Sequence, residues 1–183
     1  MAATRPMSEA PPWSDLIGLA ELKAAPVVRH IAADHAARGR IAESVGLDRL
    51  DSLHAEVRVT PWLDGAVVEA RWSAVVEQTC GVSLEPFGSE LEGAFAVRVL
   101  PRAGAHALPV QGREIVVDPD SEDPPDLLDG DSIDLAAYVV EHLALEIDPF
   151  PRKPGVEFAP PDEERPPSPF AVLRDLKAKS GDG

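Results

Sequence analysis

Apolar and polar side chains alternate along the middle of the chain. Leu53, Ala55, Val57 and Val59 are separated by His54, Glu56 and Arg58. A period of two puts the first set on one face of a strand and the second on the other. A longer return run repeats the pattern, with Val68, Ala70, Trp72, Ala74 and Val76 against Glu69, Arg71, Ser73 and Glu77. Between them, residues 63–66 contain an Asp-Gly pair, which tolerates positive φ in a tight hairpin turn. If no bulge intervenes, the same parity places Cys80, Val82 and Leu84 on the apolar face. A third run places Leu91, Phe95, Val97 and Val99 together, and residues 115–117 read as a fourth strand. Consecutive alternating runs with short connections predict an antiparallel meander, or a partly closed barrel-like sheet, with one buried face.

Two segments have helical spacing instead. Residues 27–31 read as a short strand, after which Asp34 is placed to cap a helix running to Val45, with Gly46 at its C′ position. Ala37, Ile41 and Val45 give that helix one apolar face. Ser132 or Asp134 caps a second helix ending near Ile147. Its stripe is Ala136, Val140, Leu143 and Ile147, widened by Leu135, Tyr138 and Val139, and it should pack on the sheet. Asp148-Pro149 stops it. The fold class expected is therefore α+β, an antiparallel sheet packed by one or two helices.

Proline and charge divide the chain. Residues 1–14 are small, polar and proline-bearing and read as a disordered leader. Residues 15–155 form the single α+β domain. Residues 156–183 are a proline-rich linker and a short amphipathic helix with Phe170, Leu173 and Leu176 on one side. That helix is too short to stand alone in water, so it orders on its own domain or on a partner. The net charge is −15, unevenly spread. Residues 114–148 carry 12 acids and no Lys or Arg, whereas residues 1–113 carry 14 acids against 11 basic residues. Nucleic acids are bound by neutralising phosphates with Lys and Arg, so this balance disfavours whole-surface binding of RNA. The acid-rich stretch either attracts something basic or solvates a surface loop. A single cysteine excludes an internal disulfide and fits a reducing compartment. The longest apolar run, residues 135–140, is far short of the roughly 20 residues that cross a bilayer. Arg5 is followed by no long apolar stretch, so no secretory signal is expected.

The candidate chemistry is sparse. Asp118, Asp120, Glu122, Pro124, Asp126 and Asp129 match the ligand spacing of a calcium loop, yet the sharp-turn position normally held by glycine is Asp123. A two-metal nuclease needs carboxylates on rigid elements, and these lie on a loop read as spanning residues 118–131. The histidines, His30, His35, His54, His106 and His142, show no helical metal pair, and His142 reads as a boundary side chain. Cys80, on an apolar face, reads as a small inert hydrophobe before it reads as a nucleophile. Arg29, His30, His35, Arg38 and Arg40 form a modest basic patch, with Arg58, Arg71 and Arg98 on strands. These residues either share a face or are scattered and solvated. The sequence has no phosphate loop, nucleophile elbow or dinucleotide fingerprint. We expect no catalytic residue, no metal or cofactor, and no small-molecule substrate.

EQTCGVSLEP (residues 77–86), the acidic loop, IDLAAYVVEHLALEIDPFPRKPG (residues 133–155) and SPFAVLRDLK (residues 168–177) resemble the YceD/DUF177 family of bacterial proteins, most closely its alphaproteobacterial branch. The resemblance implies a non-enzymatic cytoplasmic factor needed for accumulation or processing of large-subunit ribosomal RNA. Many members carry two cysteines three apart, where this chain has Cys80 and Ser83, so a zinc or redox role implied for them does not carry over. Joined to the charge pattern, it suggests a holder of a basic ribosomal protein or assembly factor, with an indirect effect on RNA. The candidate partner-binding residues are Asp118, Asp120, Glu122, Asp123, Asp126, Asp129 and Asp131 in the loop. Asp148 and Arg152 follow at the helix exit, and Phe170, Leu173 and Leu176 form an apolar anchor. The rival readings are a direct RNA-binding module using residues 29–40 and a metal-dependent RNA-processing enzyme.

Overall fold

The period-two runs pair in the order in which they occur. In the computed structural model, which describes residues 11–23, 25–102 and 124–158, one sheet has the order β2-β3-β4-β5-β6. Its strands are β2 (Val27–Ala32), β3 (Arg49–Trp62), β4 (Gly65–Thr79), β5 (Pro86–Pro101) and β6 (Asp126–Leu128). β3, β4 and β5 form the expected antiparallel meander, and β2, connected to it through the helix at residues 35–45, adds antiparallel to β3. The sheet is open, not barrel-like, with β2 and β6 at its ends.

Two short strands lie where the sequence suggested loop or helix. β6 sits inside the stretch read as a loop and pairs in parallel with the end of β5, Val99 facing Asp126. Ser132–Asp134 forms β7, which pairs antiparallel with β1 (Leu16–Gly18) in a separate ribbon. The strand expected at residues 115–117, most of the leader and the C-terminal helix lie outside the described residues.

Both helices follow their caps. In α1 (His35–Val45) the Asp34 carboxylate accepts from the Ala37 amide at 2.7 Å, and Gly46 closes the end at φ 75°. In α2 (Leu135–Glu146) Asp134 does the same for Ala137 at 3.2 Å. Ala37, Ile41 and Ala42 of α1 join one core cluster with Leu135, Ala136, Val139, Val140 and Leu143 of α2. That cluster holds the alternating residues of β3 and β4, including Val57, Val59, Val68 and Val76, all fully buried. Burial of such side chains contributes about 1.5–3 kcal/mol each. The other face of the sheet, carrying His54, Glu56, Arg58, Glu69, Arg71 and Glu92, is exposed.

Two turns differ from expectation. The β3–β4 hairpin has Trp62 paired with Gly65, so Leu63 and Asp64 form the loop, and Leu63 adopts φ 50°. Gly65 is needed for space rather than for φ: a Cβ there would lie 1.9 Å from the Val99 carbonyl oxygen. The second is the β4–β5 connection. Cys80 stays on the buried face as parity requires, but the strand ends at Thr79. The Leu84 amide then bonds back to the Cys80 carbonyl, and Leu84, at φ 59°, is exposed. Parity therefore does not carry through to Val82 and Leu84.

Candidate functional site

The described half of the acidic segment runs from β6 to the cap of α2. Asp126 accepts the Tyr138 hydroxyl at 3.0 Å and so ties β6 to α2. Burial, with Asp126 and Glu141 close by, raises the Tyr138 phenol well above its usual range, so it stays a donor. Asp129 pairs with Arg102 at 2.9 Å, both side chains largely in solvent. The exposed Asp131 uses its backbone carbonyl to hold the Leu19 amide. Asp126 is thus partly structural, while Asp129 and Asp131 present carboxylates outward. Asp118, Asp120, Glu122 and Asp123, with Phe170, Leu173 and Leu176, lie outside the described residues. Among the described residues no three His, Cys, Asp or Glu side chains are placed to hold a metal ion.

Asp148 and Arg152 lie at the exit of α2, where the chain returns to the β4–β5 turn. The Asp148 carboxylate accepts the Phe150 amide at 2.8 Å, and its carbonyl takes the buried Gln78 amide at 3.1 Å. The Gly81 amide bonds to the Pro151 carbonyl at 2.9 Å. Lys153 then closes the clasp twice. Its ammonium pairs with Glu85 at 2.8 Å, and its backbone amide donates to Cys80 Sγ at 3.3 Å. The amides of Val82 and Ser83 donate to the same sulfur, each at 3.4 Å. Hydrogen bonds from Ser83, side chain first and then backbone, together with the Lys153 and Val82 amides outweigh burial and hold the thiol down at about 6.

Cys80 is therefore buried as expected but is not an inert hydrophobe. Its sulfur is a hydrogen-bond acceptor that ties the β4–β5 turn to the chain after α2. With Ser83 rather than a second thiol on the turn, and Lys153 beside it, the residues present do not fit a zinc site. The sequence reading missed Gln78, Glu85 and Lys153. Only the resemblance marked that region, through EQTCGVSLEP and the DPFPRKPG stretch, without giving these residues a role.

The basic patch is divided among separate partners. Arg29 pairs with Asp15 at 3.1 Å and reaches Glu21 at 3.4 Å, while His30 faces Glu56 at 3.8 Å. Arg40 donates to the Pro12 carbonyl and Arg38 to the Ala33 carbonyl. Arg98 lies over the Trp62 ring at 5.5 Å. No helix among the described residues is long and apolar enough to cross a membrane.

These features define a small α+β protein with one face of its sheet in solvent, an acid-rich edge and a clasp that fixes the chain after α2. Residues 68–177 match the family described as large ribosomal RNA subunit accumulation protein YceD, and the chain belongs to that family. No curated protein and no solved structure is similar enough to the chain to match it.

Proposed function

We propose that the protein supports accumulation of large-subunit ribosomal RNA as a non-enzymatic, cytoplasmic assembly factor that holds a basic protein through its acidic segment. One observation carries this reading. The 12 acids at residues 114–148, unbroken by Lys or Arg, fall wholly within the part of the chain that matches the family. Such a field steers cationic partners over about a Debye length, roughly 8 Å at physiological salt. Asp129 and Asp131 show how the described part of the segment faces solvent. The clasp at Cys80 and Lys153 sets the direction in which the chain leaves α2.

The test is crosslinked affinity capture from cells, scored for basic large-subunit proteins. Changing Asp118 and Asp120 to Asn, Glu122 to Gln and Asp123 to Asn together should abolish recovery of the partner and lower large-subunit rRNA. Direct, salt-steep binding of that RNA by the pure protein, weakened at Arg38 and Arg40, would overturn the reading in favour of an RNA-binding module. Magnesium-dependent cleavage of precursor RNA would overturn it in favour of an enzyme.

A further inference from the structure

β5 is a long strand with a mostly open edge. It pairs with β4 from Pro86 to Val99, yet among the described residues β6 covers its other side only at Val99, Leu100 and Pro101. Along an antiparallel strand, every second residue turns its N–H and C=O away from its partner, so an edge offers a row of donors and acceptors. Proteins usually blunt such edges with lysine, proline or a covering element. Residues 87–97 contain no Lys, Arg or Pro.

The inner face beneath this edge is incompletely covered. Phe87, Leu91, Phe95 and Val97 are half-buried, whereas the corresponding residues of β4 are buried. α2 lies alongside and runs opposite to β5, anchored along its length. Tyr138 reaches Asp126 beside Val99, His142 stacks on Phe95 with ring centres 3.9 Å apart, and the Asp148 carbonyl holds Gln78, the partner of Phe87. Leu145 lies between the last two anchors and is 75% exposed. A strip formed by Leu91, Phe95 and Leu145 therefore flanks the open edge. Glu90 and Glu92 project from the opposite face of the same strand, Glu141 and Glu146 from the helix, all four exposed, and residues 86–97 and 124–148 contain no Lys or Arg.

We propose that this edge takes up an extended, Lys- or Arg-bearing segment of a partner protein as an added β-strand. Backbone bonds to β5 give the register. Alternate apolar side chains of the segment meet Leu91, Phe95 and Leu145 on one face, and the cations between them meet Glu90 and Glu92 on the other. The proposal rests on the holding of a basic partner and specifies where and in what conformation that partner binds.

The probe is a short peptide alternating lysine and valine, titrated into the full chain by fluorescence anisotropy, with amide hydrogen exchange read over residues 87–97. Binding should slow exchange there by about tenfold or more. Glu90→Lys with Glu92→Lys should weaken it by about tenfold, because attraction to the peptide's lysines turns into repulsion at two exposed positions. Leu145→Arg should weaken it without lowering the melting temperature, since that side chain is already exposed. A peptide N-methylated at alternate residues keeps its charge but cannot add to a sheet, so it should fail to bind. Equal binding of the methylated peptide would overturn strand addition and leave charge-based holding intact. If neither peptide binds and the acid-to-amide variant still captures its partner from cells, both readings fall. Protection of residues 87–97 equal to that of β4 in the free protein, monomeric or self-associated, would also overturn the proposal, because the edge would already be occupied by this chain or by a second copy.

Discussion

Gly93 stands directly across from Trp72 in the β4–β5 ladder, and the indole fills the space a side chain at 93 would need. A Cβ on Gly93 would lie 2.7 Å from Cζ2 and 2.9 Å from Nε1 of a ring that is only 4% exposed. Gly93→Ala gains a little backbone preference but overpacks a ring that has nowhere to go, so it should destabilise by about 1–3 kcal/mol. Urea unfolding measures it. Trp72→Leu costs stability alone yet should reduce the additional penalty of Gly93→Ala, and strict additivity of the two changes would refute the steric account.

Asp134 does more than Asp34, although both cap helices. Besides the Ala137 amide, the same oxygen, Oδ1, accepts the Asp15 amide at 3.0 Å, which joins the β1–β7 ribbon to the start of α2. Loss of an N-cap costs about 1 kcal/mol, and an unmet, part-buried amide adds about 1 kcal/mol or more. Thermal unfolding of Asp134→Ala should show about twice the loss seen for Asp34→Ala. Equal losses would mean that the Asp15 bond contributes nothing.

What the sequence made legible follows from physical periodicity. β2 to β5, α1 and α2 each contain enough residues for a period to appear, and Asp34, Gly46 and Asp134 mark ends through chemistry local to them. β6 and β7 contain three residues each, so no period can declare them, and the Pro, Gly and Asp around them resemble a loop. Leu84 was misplaced because parity stops at a turn whose geometry no single residue announces. The Cys80 clasp was illegible for a different reason: one of its donors, the Lys153 amide, is 73 residues away. Likewise, the acidic segment was visible as composition, but the division between Asp126, held by Tyr138, and the outward Asp129 is a tertiary fact.

The Cys80 thiol gives stability a pH dependence of definite sign. Its folded value is held at about 6 against an ordinary 9.0, so the unfolded chain binds the proton more tightly. The stabilisation is complete above about pH 9, declines as pH falls towards 6 and is gone below that. Cys80→Ala lacks the anion and should lack this slope. The melting temperature of the native protein minus that of the variant should therefore grow from pH 6 to pH 9, and thiolate absorbance should titrate with a midpoint near 6. A constant difference across that range would show that the sulfur is held as a neutral thiol.

Asp129→Asn separates holding a partner from holding the fold. The pair with Arg102 is short, at 2.9 Å, but its side chains are 62% and 87% exposed. Exposed pairs of this kind contribute between nothing and about 1 kcal/mol, because water screens the attraction and ordering two side chains costs entropy. The change should therefore leave urea unfolding within about 0.5 kcal/mol of the native protein. Asp126→Asn, by contrast, weakens the tie to Tyr138 and should cost more, about 1 kcal/mol. If the acidic segment is a docking field, Asp129→Asn together with Asp131→Asn lowers affinity for a basic partner at low salt, and the deficit shrinks as salt is raised. Calorimetric titrations at two ionic strengths measure both effects, and an unchanged affinity at low salt would remove these two carboxylates from the binding surface.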